Sequence, residues 1–529
     1  MDRAGAIDEN LDSLRDIDSH LQGHPMPMSL DWIEEATGSL GQGVSIAVGK
    51  ALAAKKQGRD YHTYCITGDS ELSEGQIYEA FQLASYYDLD NLTVVCDINR
   101  LGQRGETMVG HHMDWYRDRF DAFGWHVEVV DGHSIEELRA GLDRAEESDR
   151  PGVVLAETVK GKGFPPVEGE NGFHGKPLND RVDEALETIP DPDMPDTEIQ
   201  HGDGDRPVFC DDAPDTPSYS KGDELATRDA YGDTLKALAE AKCDLLAVDG
   251  EVSNSTRSEH VKDVAPDQFV ESFIAEQNMV SMAQGLSIKG HEIFCSTFSA
   301  FFSRAHDQLR MASLSEADMN FVGSHCGVSI GADGASQMGL SDIATFRSLR
   351  DSTVLYPSDA VSARELTDGM YGSNGITYLR TTRPETPVIY DDSEEFPVGG
   401  FKTPRRPEDA DVVLAGAGVT VHQALRAAEI LENKDISAAV ADIYSIKPFD
   451  TGEFADFVQE NGGKLVVSED HYPEGGIGEM LGSELEGTGI EMRTLGVDTI
   501  PHSGRKQKVI HQAGIGFHAI KGAVEEILK

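Results

Sequence analysis

Glu276 stands in the run Phe273-Ile-Ala-Glu-Gln-Asn-Met-Val280, where an apolar strand gives way to a helix. A carboxylate is expensive to bury at such a place unless something uses its charge or its proton. Far upstream, Ile66-Thr-Gly-Asp-Ser-Glu-Leu72 is followed by Asp97-Ile-Asn99-Arg-Leu101, in which Asn99 stands thirty positions after Asp69. Asp69 and the Asn99 amide oxygen are hard donors of the kind magnesium takes into an octahedral shell shared with phosphates. A backbone carbonyl such as that of Leu101 and a diphosphate would fill the rest. Gly68-Asp69 by itself also reads as a plain turn. Asn99 and Glu276 tip the balance towards a metal-diphosphate site.

The elements that must position these groups follow from the apolar runs. Tyr61 to Thr67 reads as a buried strand, Glu74 to Tyr87 as a helix and Leu92 to Cys96 as a second strand, giving a βαβ unit. That order puts Gly68-Asp69 at a strand's carboxyl end beside a helix N-terminus, where N–H groups and the helix dipole favour a diphosphate. With Glu276 added, the pattern suggests thiamine diphosphate chemistry. Strand-like and helical patterns alternate along the whole chain, so the fold class is α/β throughout. A first block covers residues 1–180. Residues 181–221 are acidic, carry prolines at 190, 192, 195, 207, 214 and 217, and read as an exposed linker. A second block, 222–397, holds Glu276, and a third covers 398–529. Asp411-Val-Val-Leu-Ala-Gly-Ala-Gly-Val419, followed by a helix from Val421 to Glu432, lacks the full glycine fingerprint and acidic partner of a dinucleotide site.

Further motifs stand in order around these residues: Ala36-Thr-Gly-Ser-Leu-Gly-Gln-Gly43, Gly68 to Gly75, Asp97 to Gln103, Val130-Asp-Gly-His133 and Phe173-His-Gly-Lys-Pro-Leu178. They continue through Ala226-Thr-Arg-Asp-Ala-Tyr-Gly232, Ala275 to Ser281, Phe294 to Arg304, Gly323-Ser-His-Cys-Gly-Val-Ser-Ile-Gly331 and Ser468-Glu-Asp-His-Tyr472. Over essentially its whole length the chain resembles the transketolases, the animal-type branch in particular. Gln337, where many transketolases outside that branch carry a histidine, agrees. The resemblance implies three successive doubly wound α/β domains: diphosphate-binding, pyrimidine-binding and C-terminal. It implies thiamine diphosphate with Mg2+, or another divalent cation such as Ca2+ or Mn2+, in a homodimer whose active site lies between subunits. The implied reaction moves a two-carbon dihydroxyethyl unit reversibly from a ketose phosphate such as xylulose 5-phosphate to an aldose phosphate such as ribose 5-phosphate.

By motif position the resemblance assigns Glu276 to the cofactor's pyrimidine ring and His174 to proton movement. Gly38, Leu40, Gly68, Asp69, Ser70, Asn99, Lys160 and Phe301 go to the cofactor, and Asp69, Asn99 and the Leu101 carbonyl to the metal. His174, Lys176, Arg228, Ser255, His325, Asp333 and Arg383 go to the substrate, the arginines as forked phosphate donors. Each of these taken alone is more often an ion-pair partner or a core residue. Phe298, Phe301 and Phe302 suit either a stacking wall or plain packing, and His133 and His471 stay open. Two departures stand out. Ser70 replaces the usual glycine after Asp69, a cost if that position needs positive φ. The opening residues resemble the interior of the family's first domain. This suggests a start placed too far downstream, a separate N-terminal polypeptide or a decayed homologue. The nearest other thiamine enzymes are 1-deoxyxylulose-5-phosphate synthase and dihydroxyacetone synthase, and an inactive scaffold is the reading from another class.

Composition limits the rest. Six scattered cysteines (65, 96, 210, 243, 295, 326) form no C-x-x-C pair, which favours reduced thiols over disulfides or zinc. Met1 is followed by no basic-then-apolar signal, and no apolar run approaches a membrane span, which suggests a cytoplasmic protein. With 94 acidic against 45 basic residues the formal charge is −49, spread along the chain. Such a field repels nucleic acid. It suits a salt-adapted surface, because molar salt shortens the Debye length to about 3 Å. The expected source is therefore a halophile.

Overall fold

The computed structural model describes residue 7 and residues 9–188 and 209–529. They fall into two compact units: Met1–Pro207 with Val280–Gly290, and Val208–Met279 with His291–Lys529.

The first unit is built on an all-parallel sheet in the order Thr63–Gly68, Leu92–Ile98, Gly152–Glu157, His126–Asp131. Buried apolar runs such as Val153-Val-Leu-Ala156 suit central parallel strands, which are covered on both faces. Helices Gly43–Gln57, Gly75–Tyr86, Met113–Ala122 and Ile135–Glu146 accompany the strands. Phe81 meets Phe120 and Trp125 at ring-centroid distances of 4.6 and 5.0 Å, and the Trp125 indole N–H donates to the Phe81 carbonyl at 2.9 Å. The later part of helix Glu276–Ile288 belongs to this unit and crosses helix Gly43–Gln57 at backbone contact. A Cβ at Gly49 would lie 2.0 Å from the Met282 carbonyl, so only glycine fits there.

Several expectations need correction. Thr63–Gly68 is an edge strand and is not buried throughout, since Tyr64 is 50% and Ile66 78% exposed. The helix expected over Glu74 to Tyr87 is present as Gly75–Tyr86, but a 3-10 turn, Glu71–Ser73, stands between it and Gly68-Asp69. The stretch read as a linker opens with a helix, Val182–Thr188. Its prolines at 190, 192, 195 and 207 lie outside the described residues.

The second unit holds a seven-stranded sheet in the order Ser445–Lys447, Thr353–Leu355, Ile376–Arg380, Met319–Ser324, Glu292–Phe298, Leu245–Asp249, Phe269–Glu271. It also holds a five-stranded sheet in the order Lys402–Arg405, Ala438–Asp442, Val412–Gly416, Lys464–Ser468, Glu491–Leu495. Each is parallel apart from one antiparallel edge strand. The edge strand Ser445–Lys447 comes from the third sequence block but pairs in the second block's sheet, which explains why the two blocks form one unit. Glu276 opens its helix, as expected, but the strand before it ends at Glu271. Among the described residues no helix is long and apolar enough to cross a membrane.

Cys210 and Cys243 form a disulfide, against the expectation of six reduced thiols. Their 33-residue separation hides the pair in sequence, but a β-bridge between Asp211 and Lys242 brings the two Cα atoms to 5.2 Å, within bridging range. Titrating the unfolded, unreduced protein with a thiol reagent is expected to count four thiols, at Cys65, Cys96, Cys295 and Cys326. A count of six would remove the bridge.

Candidate functional site

In the first unit a cavity of about 940 Å³ opens at the carboxyl ends of strands Thr63–Gly68, Leu92–Ile98 and Gly152–Glu157. Leu40, Gly68, Asp69, Ser70, Asn99, Leu101, Lys160 and His174 line it. Parallel sheets present their loops and ligands at this edge. Asp69 is buried and its Oδ2 accepts from Arg100 N at 2.7 Å and Thr107 Oγ1 at 3.1 Å. Arg100 sits at φ 60°, and the turn it makes lets Leu101 N donate to Asn99 Oδ1 at 3.0 Å. Asn99 Nδ2 donates to Asp97 Oδ2 at 3.0 Å, so Asp97 and Thr158, which bond each other, belong to the same network. Lys160 Nζ donates to the Leu101 carbonyl at 2.9 Å and lies 3.0 Å from His174 Nδ1. Lys176 lines an adjoining cavity with His174 and Lys160.

These residues fit a divalent cation. Burial, with the nearby Asp97 carboxylate adding to it, raises the Asp69 carboxyl above its usual range, whereas a cation there would favour the ionised form. Asn99 and the Leu101 carbonyl each keep a second lone pair beyond the bond they make. Among the described residues no three His, Cys, Asp or Glu side chains converge on a metal position. An oxygen set of one carboxylate, one amide and one carbonyl, completed by phosphate oxygens, suits a hard cation.

Two backbone N–H groups at or beside the cavity are already in use. Glu71 already accepts from Gly68 N at 3.2 Å and, through its other oxygen, from Gly41 N at 2.7 Å. Lys160 and the exposed Ser70 also stand on the cavity wall. Ser70 has φ −68°, so the replacement of glycine carries no backbone strain. Gly38 does not line the cavity. It takes φ 107°, and a Cβ there would lie 2.9 Å from the His24 ring. Asp97, Thr158, Gln103, Lys162 and His133 also line the cavity, which the sequence motifs alone do not predict. Their positions at or just after strand ends are the signal that would have found Asp97 and Thr158.

In the second unit Glu276 is 4% exposed and meets Arg304 Nη1 at 3.5 Å. The three phenylalanines separate cleanly. Phe302 is core, packed edge-on against Phe321 and Phe346. Phe298 lies between Phe301, at 5.1 Å, and the His325 ring, at 3.9 Å, all nearly parallel. Arg228 donates to the Ser255 carbonyl at 3.0 Å, and Arg383 pairs with Asp333. The buried Arg228 Nε makes no hydrogen bond among the described residues and has only Asp229 Oδ1 near it, at 3.9 Å, which leaves a guanidinium donor that an anionic ligand could take. Burial lowers the Arg228 pKa, with Arg257 and Arg383 adding repulsion.

The His325 pKa is lowered to about 4, first by burial and then by Arg228 and Arg383. The folded value lies below the unfolded one of 6.5, so protons favour the unfolded chain. Stability should fall as pH drops from 6.5 towards 4, by up to about 1.4 kcal/mol per pH unit for this group. In His325→Gln the midpoint of thermal unfolding should fall less steeply over that interval. An unchanged slope would rule out a buried neutral imidazole.

Family models match three successive stretches of the chain. The thiamine diphosphate binding domain of transketolase matches residues 6–189, its pyrimidine binding domain residues 223–388 and its C-terminal domain residues 402–520. The chain is 43% identical over 534 residues to a human transketolase, covering 98% of this chain and 84% of that one. The chain belongs to the transketolase family. A mouse transketolase is 42% identical over 99% of this chain and 85% of its own. The fold also matches the transketolase crystal structure from Campylobacter jejuni, with TM-score 0.82, 22% identity and coverage of 97% of this chain and 86% of that one. The transketolase from Leishmania mexicana gives TM-score 0.81 at 19% identity, covering 100% and 86%. The three transketolase domain models thus match in order along the chain, and the fold is that of solved transketolases.

Proposed function

We propose that this chain catalyses reversible transfer of a two-carbon ketol unit from a ketose phosphate to an aldose phosphate, with thiamine diphosphate and a divalent cation. The observation that carries the reading is the first unit's cavity, where Asp69, Asn99 and the Leu101 carbonyl meet Lys160 and His174. When bound, the cofactor supplies a nucleophilic carbon that takes up the two-carbon unit. Asp69, Asn99 and Leu101 hold the cation, which is magnesium. Lys160 and Ser70 bind the diphosphate. Glu276 shares a proton with the pyrimidine ring, and Phe301 stacks on it. Arg228, Ser255, His325 and Arg383 grip the substrate phosphate, while His174, Lys176 and Asp333 bind its hydroxyls.

The domains are read as 1–180, 222–397 and 398–529, joined by 181–221. The enzyme is a homodimer, with the diphosphate half of one subunit facing the pyrimidine half of its partner. It works in the cytoplasm, in the pentose phosphate pathway. Its charge of −49 favours a halophilic source, so its unfolding midpoint should rise between dilute buffer and molar potassium chloride. Equal midpoints would remove that reading. Donor choice tests the reaction. Turnover of xylulose 5-phosphate with ribose 5-phosphate is expected, whereas turnover of pyruvate instead would support a 1-deoxyxylulose-5-phosphate synthase.

A further inference from the structure

His325 does not hold its place alone. It sits at φ 59°, a left-handed conformation that non-glycine residues seldom take, and the residue is 3% exposed, its ring stacked on Phe298. The next residues turn sharply. Gly327, at φ 68°, donates to the Gly339 carbonyl at 2.8 Å. Val328 N then donates to Asp470 Oδ1 at 2.7 Å, with both residues buried. A Cβ at Gly327 would lie 1.9 Å from Asp470 Oδ2, so the carboxylate fills the space that this glycine leaves. Asp470 follows strand Lys464–Ser468 of the five-stranded sheet and is 142 residues from Val328 in sequence. Its own backbone is fixed by the wholly buried Arg380, whose Nη2 donates to the Asp470 carbonyl at 2.9 Å.

We propose that Asp470 is a positioning residue for the sugar-phosphate grip: it anchors the turn after His325 and so holds that ring in its place on Phe298. The C-terminal sheet thereby acts on substrate affinity without touching the substrate. The inference rests on the reading of His325 as a phosphate ligand. The anchor is a hydrogen bond from a buried backbone N–H to a carboxylate, and losing such a bond leaves a desolvated donor.

The test uses the full chain, loaded with thiamine diphosphate and magnesium, in molar salt. In Asp470→Ala the KM for xylulose 5-phosphate should rise about tenfold, as expected for one buried charge-assisted hydrogen bond. The KM for unphosphorylated xylulose should stay within about twofold, since that donor makes no use of the grip. Asp470→Asn keeps an oxygen acceptor for Val328 N and should restore most of the loss. Gly327→Ala, which pushes on the carboxylate from the other side, should reproduce the shift even if the Asp470→Ala chain does not fold. Calorimetric binding of ribose 5-phosphate to the loaded chain should weaken by a similar factor in both variants. Equal KM changes for both donors, or an unchanged KM for the phosphorylated donor in folded variants, would overturn the role of Asp470. A wild-type chain that does not distinguish phosphorylated from unphosphorylated xylulose would instead overturn the reading of His325 beneath it.

Discussion

Glu276→Ala is expected to lower two-carbon transfer by about 10²–10⁴-fold while leaving thiamine diphosphate affinity within a few-fold of wild type. The size follows from the role: a positioned proton donor contributes to the reaction rather than to the hold on the cofactor. In the second unit this carboxylate is almost fully enclosed and meets Arg304 at 3.5 Å, longer than a charge-assisted bond normally runs. Removing it therefore strands no buried cation, since the Arg304 side chain is 63% exposed. The fold should survive, and the unfolding midpoint checks that it does. Transfer at more than a tenth of the wild-type rate in a folded, loaded variant would mean that Glu276 is an ordinary helix-capping carboxylate.

Asp69→Ala should have a comparably large effect on a different quantity. Its carboxylate is the one charged ligand in the proposed cation set and also the acceptor for Arg100 N and Thr107 Oγ1. The substitution removes the cation's only anionic protein ligand and loosens the turn that presents Asn99 and Leu101. Magnesium-dependent binding of thiamine diphosphate, followed by intrinsic fluorescence, should weaken by about a hundredfold or more. Residual cofactor binding in the variant should no longer respond to magnesium. Affinity and magnesium dependence both equal to wild type would place the cation elsewhere. The two substitutions should thus separate, Glu276→Ala acting on turnover and Asp69→Ala on loading.

Much of this site is legible in the sequence because short-range chemistry wrote it there. Ile66 to Leu72 and Asp97 to Leu101 each follow an apolar run, and a parallel sheet obliges such segments to meet at the carboxyl ends of their strands. Glu276 betrays itself as a charge in an apolar stretch. What stayed hidden depends on partners distant in sequence. Glu71 looks like a solvent-facing residue of a turn, yet its two oxygens take the N–H groups of Gly68 and Gly41. Cys210 and Cys243 carry no spacing signature, and only the pairing of Asp211 with Lys242 brings them together. Tyr64 and Ile66 read as buried by pattern, but they lie on an edge strand, and the pattern alone cannot tell an edge from a centre. The cost of Ser70 depends on its φ, and at −68° it is unstrained. Phe302 and Phe301 are neighbours with opposite fates, one in the core and one in a half-exposed stack, which composition does not distinguish.

The most direct test of the central claim is the formation of sedoheptulose 7-phosphate from xylulose 5-phosphate and ribose 5-phosphate by the purified chain in molar salt, with and without added thiamine diphosphate and magnesium. The product should form only when both are present. No product under loaded conditions, or the same rate without them, would contradict a thiamine diphosphate-dependent ketol transferase.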